Sequence, residues 1–429
     1  MKMSKLFTKT LREAPADEEA RNAQLLIRAG YVHKEMAGAY DYEPLGLRVI
    51  ERIKQIVREE MNLVGGQEVA MTALQSRELF EKTDRWDDKK VDNWFKTELK
   101  DGAKLGLGLT HEEPIVTMAG KYVKSYKDLP FSIYQIQTKF RNEKRAKSGI
   151  LRGREFLMKD MYSFARNQEE HKKIYEEMAE AYHRVYERLG LGEITFRTKA
   201  DGGIFTKEFS DEFQTVSEIG EDTIYLDRKK KLAVNKEVYT PENLAKFDLK
   251  TEELEEVRAV EVGNIFPLES KYPDALGVYY TDENGERQSI INGCYGIGIS
   301  RVMGVIAEIF ADEKGLVWPE NVAPYKYYLV GIGEEGQKWA EEMYVGCEES
   351  VLYDDRDARV GEKLKDSELM GIPYRIVVSD KTLAEGAIEI MERASGETKL
   401  YHFEEGFKVD GVLGGEKLLT LDEIIGKLF

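Results

Sequence analysis

The sequence predicts an α+β domain followed by a smaller α/β domain with a mixed sheet, and three observations predict it. Two long amphipathic helical patterns enclose a stretch of strand-like runs, a proline-marked junction follows at 318–324, and beyond it strand and helix patterns alternate. The chain has 429 residues, enough for two or three domains. Its 42% hydrophobic and 33% charged residues are those of a globular protein with a sizeable core, which excludes disordered and fibrous classes.

From 45 to 61, Ile50, Ile53, Val57 and Met61 recur at helical spacing, and Gly65-Gly66 ends the pattern before a strand-like run at 68–71. Runs at 131–137 and 155–158 read as strands. A second long helix is predicted over 169–189, with Ile174, Met178, Tyr182, Val185 and Leu189 on one stripe and Gly190 just past its end. Residues 226–260 are highly charged and poorly periodic, and read as a solvated surface insertion. After Pro319 and Pro324 the pattern is strand 327–332, helix 334–344, strand 350–353, helix 361–370 and strand 374–378.

Charge and composition exclude several classes. With 80 acidic against 63 basic residues the net charge is −17, which argues against coating nucleic acid by bulk charge but allows a local basic patch. No apolar run approaches the ~20 residues of a membrane span, and the first ten residues lack a secretory signal's apolar core, so a cytoplasmic address is expected. Cys294, Cys347 and five histidines show neither a disulfide framework nor zinc-ligand spacing, so no zinc is expected.

Three segments can carry chemistry. Between Lys139 and Lys159 there are eight basic and two acidic residues, locally +6, flanked by strand-like runs. A hairpin whose arginines meet a polyanion fits, because guanidinium offers a planar fork to phosphate; a solvated hairpin tip is the plain alternative. A strand running through Gly293, Gly296 and Gly298 into an apolar helix with Arg301 can bring backbone close to a ligand, or serve only helix-on-sheet packing. It is not a dinucleotide fingerprint, and no phosphate-binding G-x-x-x-x-G-K-[ST] occurs. Third, Gly106-Leu-Gly-Leu-Thr110 precedes His111-Glu-Glu113, a hydroxyl and two carboxylates that suit an ammonium ligand or form a helix N-cap box from Thr110 to Glu113. Lys2-Met-Ser-Lys5 looks like the ATP-binding loop of class I aminoacyl-tRNA synthetases, but it opens the chain and lacks the upstream His-x-Gly-His partner.

In this order the segments resemble class II aminoacyl-tRNA synthetases, and in detail the prolyl-tRNA synthetases of bacterial type. The resemblance covers nearly the whole chain. It rests on Arg28-Ala-Gly-Tyr31, Tyr42-Glu-Pro-Leu-Gly-Leu-Arg-Val49, Val57-Arg-Glu-Glu-Met-Asn62, Thr110-His-Glu-Glu113, Tyr134-Gln-Ile-Gln-Thr-Lys-Phe-Arg141, Arg154-Glu-Phe-Leu-Met-Lys-Asp160, Gly293-Cys-Tyr-Gly-Ile-Gly-Ile-Ser-Arg301 and Asp354-Asp-Arg-Asp357. It implies a catalytic domain over 1–320 with an antiparallel sheet, an anticodon-binding domain over 321–429, and a homodimer formed through the first helix–strand unit. The short 226–260 stretch stands where many relatives carry an editing domain. The implied reaction activates L-proline with ATP to prolyl-adenylate and transfers it to the 3′ end of tRNA(Pro), with magnesium as counter-ion.

Carried over by position, Arg141 meets the α-phosphate, Glu143 lies near the adenine, Arg152 and Arg301 sit at the β/γ-phosphate end, and Phe156 stacks on adenine. Arg141 and Arg301 are the expected catalytic residues. Thr110 and Glu112 hold the proline imino group, with Arg141 also beside the amino acid, and Cys294 and Gly296 form the pocket floor. Gln214 at the ATP site and Glu261 are candidates for positioning magnesium. Arg145 meets the acceptor end of the tRNA, and Asp354, Asp355, Arg356 and Arg359 face the anticodon. The chain departs from the family where Thr72, Leu109 and Val360 replace prolines and where Asp211 replaces a histidine beside the proline pocket. Asp211 leaves two alternatives open beside proline charging: a changed amino-acid specificity, and a synthetase-like protein that binds tRNA without charging it.

Overall fold

A computed structural model describes residues 1–146 and 148–402. The chain divides into two compact units, one of residues 35–40 and 53–305, the other of 1–34, 41–52 and 306–429.

The first unit is built on a sheet of nine strands among the described residues. Their order is Ser210–Val216, Thr195–Ala200, Leu232–Asn235, Asp222–Asp227, Glu255–Glu269, Ile291–Gly298, Glu155–Ala165, Phe131–Phe140 and Gly66–Glu68. Pairing is antiparallel except at Leu232–Asn235 with Thr195–Ala200 and at Gly66–Glu68 with Phe131–Phe140. The 131–140 and 155–165 strands pair along their full lengths, from Phe131 opposite Phe164 to Phe140 opposite Glu155, so the basic segment is the loop of a long hairpin as expected. Helix Gln168–Arg188 starts where the Asn167 side chain accepts the Glu170 N–H at 2.9 Å, and buries Tyr175, Met178, Tyr182, Val185 and Tyr186. Gly190 takes φ +81° just beyond it, a left-handed turn that glycine accepts without strain.

The 226–260 stretch is not a solvated insertion. Strands Asp222–Asp227 and Leu232–Asn235 and helix Pro241–Lys246 build it into the sheet, over a small core of Val234, Val238, Leu244 and Leu249. Its apolar residues are few and separated by charges that point outward, so the period was too short to register in the sequence.

His171 lies under this sheet with both ring nitrogens buried and without a hydrogen-bond partner. Burial lowers its pKa to about 4. A histidine whose folded pKa lies below its unfolded value stabilises above ~6.5 and loses that contribution as pH falls toward 4. We expect wild type to lose on the order of 3 kcal/mol between pH 7 and 4 relative to a His171→Leu variant. Urea unfolding of both across that range checks it; parallel curves would refute it.

The second unit carries a five-stranded mixed sheet in the order Val351–Asp354, Tyr327–Ile332, Tyr374–Ser379, Ala387–Glu392, Thr398–His402. The first three are parallel and the last two antiparallel to their neighbours. Tyr327, Leu329, Val351, Ile376, Val378, Ile388 and Ile390 form its core with Ala340 of helix Glu334–Tyr344. Val360 opens helix Val360–Met370, the first helical position, where a proline fits equally well. No helix among the described residues is long and apolar enough to cross a membrane.

Candidate active site

One face of the large sheet carries a cleft lined by Thr110, Glu112, Arg141, Glu143, Arg152, Phe156, Glu261, Cys294, Gly296, Gly298 and Arg301, among others. Cys294, Gly296 and Gly298 are alternate residues of strand Ile291–Gly298 and so share one face. A Cβ built on Gly296 would have only ordinary contacts, at 3.9 Å to Asn264 O and Met158 Sδ, so the glycine leaves room in the cleft rather than relieving a clash. Gly296→Ala is therefore expected to fold normally while its methyl takes up space in the cleft, where the family resemblance puts the amino acid. The expected loss is roughly 10-fold or more in kcat/KM for proline; unchanged steady-state kinetics would remove Gly296 from the pocket.

At one end of the cleft, Thr110 does not cap the helix Glu112–Ala119; its hydroxyl lies 2.7 Å from both oxygens of Glu112. His111 takes the N-cap position instead. The Arg85 guanidinium reaches Glu112 Oε2 at 2.9 Å and Glu113 Oε2 at 3.1 Å, and all three side chains are buried. Burial pushes the Glu112 carboxyl up, but Arg85 and Thr110 outweigh it and hold it below the usual range. Burial beside a charged neighbour leaves Glu113 raised. Cys294 donates its thiol to Glu112 Oε1 at 3.3 Å. This end is a dry, fixed carboxylate flanked by a hydroxyl, an environment for a small cation.

The other end is cationic. Arg141 lies with its guanidinium 5.2 Å from the Phe156 ring, and its Nε is buried without a hydrogen-bond partner. Burial and the nearby Arg301 lower its pKa. Arg301 is held by Leu151 O at 2.8 Å and by Glu261 through its carbonyl at 2.6 Å and its carboxylate at 3.1 Å. Two like charges converge there with donor capacity to spare, an arrangement suited to an anion. Arg152 pairs with Glu143 at 3.0 Å and with Glu221 at 3.0 Å. Arg145 lines an adjoining concavity with Asp92, Asn93, Lys144 and Glu221.

The comparisons fit this geometry. Residues 95–310 match the class II tRNA synthetase core domain (G, H, P, S and T), and residues 335–409 match an anticodon-binding domain. A proline–tRNA ligase from Geobacillus thermodenitrificans is 34% identical over 93% of this chain and 97% of its own length. One from Wolbachia sp. subsp. Drosophila simulans is 36% identical over 94% and 98%. The chain belongs to the proline–tRNA ligase family. The Geobacillus alignment runs over 556 positions against the 429 residues here, so that proline–tRNA ligase carries a large insertion this one lacks. Prolyl-tRNA synthetase from Giardia lamblia, solved with prolyl-adenylate, superposes with TM-score 0.73 at 20% identity over 88% of this chain and 73% of that one, which shows the shared fold.

For a proline–tRNA ligase, the placement of Asp211 matters most. It does not line the cleft. Its carboxylate accepts from Tyr175 OH at 2.9 Å and Arg197 at 2.9 Å, and Lys199, directly opposite on the neighbouring strand, lies 2.7 Å away. Burial would raise its pKa, but Arg197 and Lys199 outweigh it and keep the group ionised. The added negative charge is thus neutralised locally. Gln214 is likewise turned from the cleft, donating to Glu212 and Asp222 at 2.8 Å each. Leu109, in place of a proline, is buried beside Phe80, Val91 and Trp94.

In the smaller unit, Asp354 is buried and cannot face a base directly. Its carboxylate receives Tyr328 OH at 2.6 Å and the Arg356 guanidinium at 2.7 Å, which orients that arginine. Asp355 and Arg356 are partly exposed and Arg359 is exposed. Arg85 is the functional candidate that sequence reasoning missed: it stands 27 residues before Glu112 in an irregular segment, and no local pattern links the two.

Proposed function

We propose that the cleft joins proline to ATP and then to the 3′ end of tRNA(Pro). Thr110, Glu112 and Cys294 receive the imino acid. Arg141, Arg152 and Arg301 receive the phosphates, with Phe156 beneath the adenine and Glu143 near it. A carboxylate oxygen of proline attacks the α-phosphorus and the bond to the β-phosphate oxygen breaks, releasing pyrophosphate. A terminal ribose hydroxyl then attacks the activated carbonyl and AMP leaves. The attacking carboxylate is already a nucleophile, so the first step needs in-line positioning and stabilisation of charge on the phosphoryl oxygens rather than a general base. The partnerless, buried Nε of Arg141, in the cleft that Arg301 also lines, is the observation that carries this reading.

Magnesium fits the same cleft. The carboxylates of Glu261, Asp222 and Glu221 line it and offer only hard oxygen donors. Glu261 and Asp222 would hold the ion, which would neutralise charge on the phosphates, and Gln214 would act by fixing Asp222. We further assign residues 1–320 to catalysis and 321–429 to anticodon reading by Asp355, Arg356 and Arg359, with Asp354 holding Arg356, and Arg145 to the acceptor end. The part of that region beyond residue 402 lies outside the described residues. Homodimerisation through helix Pro44–Leu63 and strand Gly66–Glu68, and a cytoplasmic location, complete the proposal.

The test is ATP–pyrophosphate exchange with magnesium, run with proline beside alanine, cysteine and the remaining amino acids. Exchange with proline alone is expected, because Asp211 is neutralised away from the cleft. Exchange with another amino acid would relocate the specificity, and none at all with tRNA supplied would favour a protein that binds tRNA without charging it.

A further inference from the structure

The Lys2-Met-Ser-Lys5 motif, discounted as an ATP loop, lies in the same compact unit as the anticodon candidates and touches one of them, Asp355, and the strand that leads to it. Lys2 pairs in parallel with Tyr353 at the end of strand Val351–Asp354. The Ser4 N–H and hydroxyl both donate to Asp355, at 2.8 and 2.5 Å. Six residues on, the Thr10 hydroxyl donates to Asp366 at 2.9 Å, and Asp366 in turn accepts from Arg356 at 2.8 Å. The segment from Ser4 to Thr10 is therefore a strap anchored at both ends to the residues that frame Arg356.

Beyond the short 3-10 turn Met3–Lys5, its side chains alternate between exposed and buried. Met3, Leu6 and Thr8 are buried, whereas Lys5, Phe7 and Lys9 are exposed. Phe7 is 83% exposed, the most exposed large apolar side chain among the described residues. Lys9 reaches back only weakly, to Leu6 O at 3.5 Å. A phenyl ring in solvent between two lysines is costly as surface, but it is the composition of a single-strand stacking platform: a ring for a base and cations for the flanking phosphates. One ring is too small an apolar area for a protein partner, and the charge favours a polyanion.

We propose that Lys5, Phe7 and Lys9 form a strip that binds unpaired nucleotides of the tRNA anticodon loop, with Phe7 stacking on a base and the lysines on phosphates. The inference rests on the anticodon role proposed for residues 321–429 and extends it to the N-terminal strap. Its test is aminoacylation with varied tRNA(Pro) for Phe7→Ala, Phe7→Leu and Phe7→Trp, with Arg356→Ala and Arg359→Ala alongside. Proline-dependent exchange, which proceeds without tRNA, reports in the same preparations that the cleft is folded.

Phe7→Ala and Phe7→Leu are expected to raise KM for tRNA by about 5- to 100-fold, and Phe7→Trp to preserve it. A Lys5→Gln/Lys9→Gln variant should flatten the salt dependence of tRNA binding, by roughly 1.4 in log–log slope for two lost phosphate contacts. Values for Phe7→Ala within twofold of wild type, with clear losses in the arginine variants, would overturn the strip and leave the anticodon assignment standing. Losses in Phe7→Ala with none in the arginine variants would support the strip and remove Arg356 and Arg359 from the reading. No loss in any of them would overturn both.

Discussion

Replacing Arg301 with alanine is expected to slow proline-dependent ATP–pyrophosphate exchange by about 10²- to 10³-fold, the usual cost of removing one preorganised donor from developing charge. The argument is structural. Arg301 is fixed before any ligand arrives by Leu151 O and by both the carbonyl and the carboxylate of Glu261, so in the proposed role it would meet phosphoryl charge without reorganising. Folding already bears the repulsion between Arg301 and the half-buried Arg141, and removing one of the two relieves it. The loss should therefore fall mainly on exchange, with a smaller effect on unfolding from the lost bonds to Leu151 and Glu261. Near wild-type exchange in Arg301→Ala would take this residue out of the phosphate site.

The second large effect is expected at Arg85. Arg85→Ala would leave Glu112 and Glu113 buried together without their cation, and breaking a buried pair from one side costs about 3–5 kcal/mol of stability. A purely structural residue would do no more than that. Arg85 also holds the Glu112 carboxyl ionised against burial, so in the variant that carboxyl moves upward. The KM for proline should then rise at pH 7 and recover as pH increases through the raised value, because the ionised form is the one that binds a cation. Arg85→Lys should restore part of both effects. A proline KM that is independent of pH in Arg85→Ala would confine Arg85 to stability.

Much of the fold was legible because it is written in local periods. The buried stripe of helix Pro44–Leu63, Ile50, Ile53, Val57 and Met61, is the one its spacing predicts, and the strands and helices from Tyr327 to Ser379 fall within a residue or so of expectation. The basic hairpin was legible because eight cations in so short a run are unusual in an acidic chain. What was not legible depends on pairing across distance. That Asp211 meets Lys199 follows only from the register of two adjacent strands, and that Arg85 meets Glu112 only from a loop folding back over a helix start. Asp354 matches the motif of an anticodon-facing residue, yet the fold buries it and spends its carboxylate on Tyr328 and the partly exposed Arg356.

Strand Ile291–Gly298 acts as a ruler. Cys294 touches Glu112, where the imino acid is placed, and Gly298 lies against Arg301, where the phosphates are placed. Four residues of extended chain set those ends about 13 Å apart. The interval is fixed by hydrogen bonds to strands Glu155–Ala165 and Glu255–Glu269 on either side, not by any loop. On the proposed assignment, selection of the amino acid and binding of the outer phosphates would occupy separate marks on one rigid scale. A change at the Cys294 mark would then alter which side chain enters while leaving the phosphate end of the strand where it is.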